Sequence, residues 1–198
     1  MSFKSDYRDG DFFTKQAKKE GYRSRASFKL KEILKKEISI TKGQSILDLG
    51  SFPGGWVQVA KEFVGESGKI AAIDIQEMEF IENCFFLNKS IEDIEEKDFD
   101  EIKDFLPFDL VLSDMAPNIS GIRERDNALM IGLVDHVLSA VDNYLKIRGS
   151  LLIKVFQGES LDYTREALKD RFSKIKISKP KASRPNSNEI YIVGKELK

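Results

Sequence analysis

The chain is organised around residues 45–56, whose sequence is SILDLGSFPGGW. A short apolar run ends in an acidic residue and a glycine and then breaks into a Pro-Gly-Gly turn. A helical pattern of apolar residues follows from Val57 to Val64. This order predicts a β-strand, a tight loop and an α-helix. Glycines in such a loop let a small ligand press against bare backbone, and the helix N-terminus offers it free N–H groups.

Three interpretations of this loop are open at this point. A dinucleotide-binding fold requires the pattern G-x-G-x-x-G, with its second glycine facing a pyrophosphate. Here Gly50 is separated from Gly54 by two bulkier residues and Pro53, so that fingerprint fails. A plain strand-to-helix turn without a ligand is the second interpretation. A loop that cradles S-adenosylmethionine is the third, and residues further along the chain test it.

Composition indicates one globular domain. The chain has 198 residues, 41% of them hydrophobic, and no Pro- or Ser-rich linker divides it. No apolar run approaches the roughly 18–20 residues of a membrane span, and early acidic residues argue against a targeting peptide. Cys84 and His136 are the only residues of their types, which argues against a disulfide framework and a Cys/His metal cluster. We expect a single domain over residues 1–198, with no metal, no membrane association and no module after Lys198. We also expect a cytoplasmic monomer.

Charge is segregated along the chain. Residues 1–42 hold 12 Lys and Arg against 6 Asp and Glu, and residues 165–198 hold 10 against 4. Each end therefore carries a net charge of +6, and residues 43–164 carry −13 within the overall −1. Basic ends on an acidic body indicate contact with a polyanion such as a nucleic acid. The alternative is that these charges only solvate surface helices.

Three predicted buried strands end in acidic residues. Asp48 is near the end of the first strand, Asp74 ends the strand over residues 69–75, and Asp114 ends the strand over residues 108–114. In an open α/β sheet, ligands bind outside the carboxyl ends of the strands. A carboxylate at Asp74 can accept hydrogen bonds from both ribose hydroxyls of an adenosyl group. The alternative for Asp74 is a simple strand-end cap.

The remaining patterns alternate helices with strands until the last pair, which predicts an antiparallel hairpin at one sheet edge. We expect helices over residues 25–36, 127–145 and 161–172, a polar loop over 119–126, and strands over 84–88, 149–156, 174–179 and 189–193. Lys154 interrupts the apolar run of its strand, where an ammonium is costly unless it is paired or used in chemistry. The alternative is that Lys154 faces solvent at the strand end.

These residues carry a family resemblance. The sequence resembles the FtsJ/RrmJ-type ribose 2′-O-methyltransferases, which modify large-subunit ribosomal RNA. The matching segments cover nearly the whole chain in order: AKKEGYRSRASFKL (17–30), DLGSFPGGW (48–56), SDMAPN (113–118), KVFQG (154–158) and SNEIYIV (187–193).

The resemblance implies a Rossmann-like α/β methyltransferase fold. Its sheet has seven mostly parallel strands, an antiparallel last strand and helices on both faces. The family's Lys-Asp-Lys-Glu catalytic set falls on Lys29, Asp114, Lys154 and Glu189. The cofactor implied is S-adenosyl-L-methionine, with candidate contacts at Gly50, Ser51, Pro53, Gly54, Gly55, Trp56, Asp74, Ile75, Ser90 and Asp114. Ser90 departs from the family, which has an acidic residue there near the adenine.

By the same resemblance the substrate is a ribose in large-subunit ribosomal RNA, a uridine, and the partner is that RNA or the large ribosomal subunit. The basic segment 1–42 and the loop 179–184 would contact the RNA. A relative that methylates the anticodon loop of transfer RNA would carry the same four residues. A ribosome-assembly factor that binds RNA without turnover is an alternative from another class. A dinucleotide-dependent oxidoreductase is disfavoured by the glycine spacing.

Overall fold

A computed structural model describes residues 12–184 and 186–198. Its strands are β1 (Ser45–Leu49), β2 (Lys69–Asp74), β3 (Cys84–Asn88), β4 (Phe108–Ser113), β5 (Leu145–Phe156), β6 (Phe172–Ser178) and β7 (Glu189–Leu197). Its α-helices are α1 (Phe12–Glu20), α2 (Ala26–Glu37), α3 (Gly55–Val64), α4 (Arg123–Tyr144) and α5 (Glu159–Arg171), with 3₁₀ helices at Ile91–Asp93 and Glu96–Phe105. The part of the expected basic arm in residues 1–11 lies outside the described residues.

All seven strands form one sheet in the order β3-β2-β1-β4-β5-β7-β6. The pairs β3-β2, β2-β1, β1-β4 and β4-β5 are parallel, whereas β7 runs antiparallel to both β5 and β6. The predicted fold class is therefore confirmed, including the antiparallel last strand. The final hairpin is also present, but its second strand lies inside the sheet, between β5 and the edge strand β6.

Helices cover both faces of the sheet because the central strands are apolar on both sides. On one face, Leu30 and Ile33 of α2 and Val57 of α3 pack against the strands. On the other face, Val134 of α4 and Leu168 of α5 pack against them. All five of these side chains are buried. Each such burial stabilises the fold by about 1.5–3 kcal/mol relative to an exposed side chain.

The sheet has its topological switch point at β1. The next strand along the chain, β2, lies on one side of β1, and β4 lies on the other. The crevice outside the carboxyl ends of β1 and β4 is the usual ligand position in such sheets. The predicted site residues that follow these strands therefore meet at one edge of the molecule.

Helix α4 begins earlier than expected from the sequence, at Arg123 rather than Asn127. The Asp126 carboxylate accepts hydrogen bonds from the backbone N–H and hydroxyl of Ser120, at 2.8 and 2.7 Å, and from the backbone N–H of Gly121 at 3.1 Å. These bonds fold the preceding segment onto the first turn. The expected polar loop is therefore shorter than residues 119–126.

Strand β5 also begins earlier than expected, at Leu145 rather than Gly149. Its first residues after Leu145 are exposed, with Arg148 in a left-handed conformation (φ 66°), and the pairing with β4 is irregular there. Lys146, Ile147 and Arg148 are all exposed, so this stretch has no buried apolar face from which a strand could be predicted.

Two features are absent from residues 12–184 and 186–198. No helix there is both long and apolar enough to cross a membrane. No group of three or more His, Cys, Asp and Glu side chains there is arranged to hold a metal ion.

Candidate active site

Strand register brings three of the four predicted catalytic side chains to the same end of the sheet, and helix α2 brings the fourth. Phe156, two residues after Lys154, pairs with Glu189 across the antiparallel β5-β7 ladder. Asp114 directly follows Ser113 of β4, which pairs with the residue before Lys154. Lys29 reaches this end from α2, on the face above β7. Strand pairing thus brings Asp114, Lys154 and Glu189 together although they are far apart in the sequence.

The four side chains form two ion pairs. Lys29 Nζ lies 2.7 Å from Glu189 Oε2, and Lys154 Nζ lies 3.1 Å from Asp114 Oδ1. Lys154 also donates a hydrogen bond to the main-chain oxygen of Asp114. Both lysine side chains are about nine-tenths buried, with exposed fractions of 10% and 7%. Both ammonium groups are therefore held in fixed positions by carboxylates.

Tyr191 is a further member of this cluster that sequence reasoning did not single out. Its hydroxyl donates a hydrogen bond to Asp114 Oδ1 at 2.8 Å, and Lys29 Nζ lies 5.6 Å from the centre of its ring. Tyr191 is fully buried, and burial, followed by the charge of Asp114, raises its pKa well above the usual value. A signal was present in the sequence, because Tyr191 is two residues after Glu189 and so lies on the same face of the strand.

Opposing influences act on Glu189. Burial alone would raise the pKa of its carboxyl, but the hydrogen bond and charge of Lys29, together with the charge of Lys154, lower it below the usual value. Glu189 is therefore an anion near neutral pH and can hold Lys29 in place.

Residues 50–54, which connect β1 to α3 and are called here the glycine loop, need glycine for two reasons. Gly50 and Gly54 have positive φ values of 78° and 103°, which disfavour other residues. A Cβ at Gly50 would lie 2.3 Å from Met115 Cγ, so a side chain there would collide with the segment that follows β4. The loop can therefore lie against Met115, the residue after Asp114, only because residue 50 is a glycine.

Asp74 is hydrogen-bonded to the glycine loop. Its Oδ2 accepts a bond from the backbone N–H of Phe52 and its Oδ1 one from the backbone N–H of Gln76, both at 2.8 Å. A carboxylate has about four lone-pair positions, so acceptor capacity is left for a ligand. The structure thus shows the strand-end cap and is compatible with ribose binding as well.

Two polar side chains under the loop make no hydrogen bond within the described residues. Both carboxylate oxygens of Asp48, which is fully buried, and the hydroxyl of Ser51 are unpartnered. Burial, and then the charges of Asp114 and Asp74, raise the pKa of Asp48 well above its usual value. Unpartnered buried polar atoms are rare in folded proteins. These unpartnered atoms under the loop, together with the free acceptor positions of Asp74, fit a polar ligand such as S-adenosylmethionine.

The other predicted cofactor contacts lie in different environments. Trp56 is 4% exposed, packs 6.0 Å from the Tyr191 ring and donates its indole N–H to the Ala26 carbonyl oxygen. It therefore supports the site from within the core. Ile75 is 71% exposed, and the Ser90 hydroxyl accepts a 3.4 Å hydrogen bond from the Glu92 backbone. Contact of these three residues with the cofactor stays a prediction.

A cleft of about 780 Å³ opens beside Glu189. It lies beyond the ends of β5 and β7 and is bounded on its other side by the start of α4. Its lining combines amide side chains, a guanidinium and apolar walls, including Asn127, Gln157, Asn188, Arg123 and Phe156. Its volume is within the usual range for ligand pockets.

Basic segments from near both ends of the chain pack beside α2. The lysines of α1, Lys15, Lys18 and Lys19, are exposed. The loop 179–184 packs on α2, where the Lys181 backbone N–H bonds to Glu32 at 2.8 Å and Arg25 donates to the Ala182 carbonyl oxygen. The structure therefore brings the C-terminal basic loop onto the helix that carries Lys29.

Comparisons with known proteins agree with this geometry. The chain is 44% identical over 191 residues to the ribosomal RNA large subunit methyltransferase E of Stutzerimonas stutzeri, covering 95% of this chain and 92% of the relative. It is 43% identical over 188 residues to the protein of the same name from Marinobacter nauticus, covering 93% and 90%.

Among solved structures, the fold is similar to a Plasmodium falciparum protein described as a ribosomal RNA methyltransferase. The TM-score is 0.80 at 30% identity, over 89% of this chain and 98% of that one. The family model described as FtsJ-like methyltransferase matches residues 22–197. This match includes all four clustered catalytic candidates and the glycine loop. The chain therefore belongs to the FtsJ-like methyltransferase family.

Proposed function

We propose that this protein transfers the methyl group of S-adenosylmethionine to the 2′-hydroxyl of a ribose, a uridine by family resemblance, in large-subunit ribosomal RNA. The observation that carries this proposal is the convergence of two buried lysine–carboxylate pairs, Lys29–Glu189 and Lys154–Asp114, beside the glycine loop. The names of the 44% and 43% identical relatives support the choice of substrate.

The reaction needs a positioned hydroxyl and a group to take its proton, because an alcohol is a weak nucleophile. When bound, S-adenosylmethionine supplies an electrophilic methyl group whose bond to sulfur breaks as the new bond to oxygen forms. Lys154 first releases a proton to solvent, and its amine nitrogen then accepts a hydrogen bond from the 2′-hydroxyl, orients it and takes its proton as the new O–CH₃ bond forms. Asp114 holds Lys154 and stabilises the ammonium that results. Lys29 and Glu189 position the ribose from the other side.

The residues that would hold the cofactor follow β1, β2 and β4. Gly50, Gly54 and Gly55 allow close approach to the backbone, and Asp74 accepts from the ribose hydroxyls. The unpartnered carboxyl of Asp48, whose protonated form is favoured by burial because its pKa is raised, and the hydroxyl of Ser51 add polar groups under the loop. This donor and acceptor chemistry is the reason for assigning S-adenosylmethionine to this end of the sheet.

The acceptor RNA would enter from the side of the cleft beside Glu189. Exposed lysines of α1 and the loop 179–184 would neutralise phosphates around it. We propose further that residues 1–198 act as one domain, that the protein is a monomer, and that it acts in the cytoplasm, where its RNA substrate is found.

The test is methyl transfer from labelled S-adenosylmethionine into two unmodified pools, large ribosomal subunits and transfer RNA. Ribose methylation makes the adjacent phosphodiester resistant to alkali, which locates the label. We expect label in the ribosomal pool at one nucleotide. Label only in transfer RNA would overturn the substrate and keep the chemistry. Binding of cofactor and RNA without label in either pool would favour the assembly-factor function.

A further inference from the structure

Arg23 binds three backbone carbonyl groups from two different loops. Its Nη1 donates to the carbonyl oxygens of Pro53 at 3.3 Å and of Glu79 at 2.8 Å, and its Nη2 donates to that of Phe80 at 3.0 Å. The Glu79 side chain, 91% exposed, lies 3.7 Å from Nη2. Pro53 belongs to the glycine loop, whereas the other two belong to residues 75–83, which connect β2 to β3 and are called here the β2–β3 segment.

The backbone that carries Arg23 is itself fixed on α3. Gln58 accepts a hydrogen bond from the Arg23 backbone N–H at 2.8 Å and donates one to the Gly21 carbonyl oxygen at 2.9 Å. One amide side chain thus holds the turn between α1 and α2. The guanidinium therefore extends from a fixed position, and its contacts can order the loops that it reaches.

The two loops also touch each other directly. A Cβ at Gly54 would lie 2.8 Å from Ile81 Cδ1, 2.9 Å from Met78 Sδ and 3.0 Å from Arg23 Nη1. The β2–β3 segment therefore lies against the glycine loop with Arg23 between them. The segment also follows Asp74, whose carboxylate bonds to Phe52 of the glycine loop.

We propose that Arg23 is a positioning residue of the cofactor site, which holds the glycine loop and the β2–β3 segment in the arrangement that receives the adenosyl end of the cofactor. The proposal rests on the proposed function. A planar guanidinium presents several donors in fixed directions, so it satisfies three carbonyls at once, whereas a lysine ammonium has no such fixed fork. Preorganised loops lower the ordering cost of binding.

The experiment compares Arg23→Gln and Arg23→Lys with the wild-type protein. Cofactor affinity is measured by calorimetry with S-adenosylmethionine and with S-adenosylhomocysteine, and steady-state kinetics separate kcat from the KM of cofactor and of RNA. We expect Arg23→Gln to weaken both cofactor forms by about tenfold, while kcat at saturating cofactor and the KM for RNA change by less than about threefold. Arg23→Lys should be intermediate.

Lys61→Met is the matched control. Lys61 Nζ donates to the Glu82 carbonyl oxygen and so holds the same segment, but without a hydrogen bond to the glycine loop among the described residues. Equal weakening by Lys61→Met, a cofactor affinity of Arg23→Gln within about twofold of wild type, or a loss confined to kcat would each overturn the proposal. Cofactor binding by the wild-type protein is measured first. If wild type does not bind S-adenosylmethionine, the cofactor assignment in the proposed function is overturned, and the role of Arg23 with it.

Discussion

The two lysines of the site have different surroundings, and this decides what each can do. Lys154 is on a central strand, and both of its contacts, a carboxylate and a main-chain oxygen, belong to Asp114. Lys29 is on a helix and pairs with Glu189 of a strand that is distant in sequence. Lys154 is therefore a rigid part of the sheet end, whereas Lys29 also links a helix to that sheet. Of the two, Lys154 is the better placed to hold a reacting hydroxyl.

The first prediction concerns the Lys154→Ala substitution. We expect it to lower kcat by about 10²–10⁴-fold, because the group that takes the proton is lost, while the cofactor dissociation constant changes by less than about threefold. The measurements are single-turnover methylation and calorimetry. Lys146→Ala is the control, since Lys146 is on the same strand but pairs with Asp109 at the opposite end. Normal turnover by Lys154→Ala would remove this residue from its role.

The second prediction concerns Asp48, whose pKa is raised by burial and by neighbouring carboxylates. The folded protein holds this proton more tightly than the unfolded chain, where an aspartate has a pKa of about 3.9. The resulting stabilisation is complete below that pH and is lost as the pH rises through the folded pKa. We therefore expect the unfolding free energy of wild type to fall with rising pH relative to that of Asp48→Asn.

Urea unfolding of both proteins without cofactor, from about pH 4.5 to 8, measures this difference. Asp48→Asn is the reference for the wild-type protein, because the two proteins share every other titrating group. Parallel stability curves over the whole range would show that Asp48 does not carry a proton in the folded state.

At the scale of elements, the contact between α2 and α3 depends on a glycine at the start of α3. The Ser27 hydroxyl is fully buried and donates to the Gly55 carbonyl oxygen at 2.9 Å. A Cβ at Gly55 would lie 2.5 Å from Ser24 Oγ and 2.7 Å from Ser27 Oγ. The helix that carries Lys29 can therefore approach the glycine loop only because this side chain is absent.

The third prediction is that Gly55→Ala and Gly132→Ala change stability in opposite directions. Gly55→Ala overpacks the α2–α3 contact and should destabilise by about 1–3 kcal/mol. Gly132 lies within α4, and a Cβ there meets no atom within 4 Å, so alanine should stabilise by about 0.5–1 kcal/mol through helix propensity. Chemical unfolding measures both. A loss of stability in Gly132→Ala as large as that in Gly55→Ala would contradict this account of the contact.

The presence of the main strands and helices could be predicted from the sequence, whereas the first residues of α4 and β5 could not. The buried strands β1, β2 and β4 are apolar runs bounded by turn residues, so their positions follow from local pattern. The start of α4 depends on hydrogen bonds that Asp126 accepts from Ser120 and Gly121. A carboxylate inside the first turn that bonds backward is not the usual N-cap pattern. That start was therefore missed.

For the whole molecule, basic segments from near both ends of the chain meet beside one helix. Helix α1, with its exposed lysines, and the loop 179–184 both pack beside α2, the helix that carries Lys29. Many of the acidic residues are in the segment between β2 and β4, for example around the 3₁₀ helix Glu96–Phe105. An RNA would therefore be attracted to one side of the protein and repelled from another.

The fourth prediction is that substituting Lys15, Lys18 and Lys19 together with alanine reduces the salt dependence of RNA binding. The slope of log K against log salt should become shallower by up to about 2, at about 0.7 per phosphate contact on single-stranded RNA. Cofactor affinity should not change. The control changes Lys97 and Lys103, which pair with Glu95 and Asp100 on the acidic side. Identical slopes for wild type and the α1 variant would exclude α1 from the RNA contact.

The sequence could predict which residues form the catalytic set, but not the contacts that their side chains make with one another and with their neighbours. The four catalytic candidates were identified by resemblance, and the sheet brings them together. The hydrogen bond from Tyr191 to Asp114, the unpartnered Asp48 and the three-carbonyl contact of Arg23 depend on side-chain directions across different elements. No local periodicity encodes such directions, because they are set when strands and helices pack.

The insertion of β7 between β5 and β6 has a consequence for synthesis on the ribosome. Synthesis runs from the N-terminus and a domain generally folds as a unit, and β1, β2 and β4 with the glycine loop emerge well before β7. The segments proposed to hold the cofactor are thus synthesised before Glu189 and Tyr191 exist. Until β7 enters the sheet, Lys29 lacks its carboxylate partner and Asp114 lacks its tyrosine. We therefore expect a chain that stops before β7 to lack an internal strand of the sheet and one of the two lysine–carboxylate pairs, and with them methyl transfer.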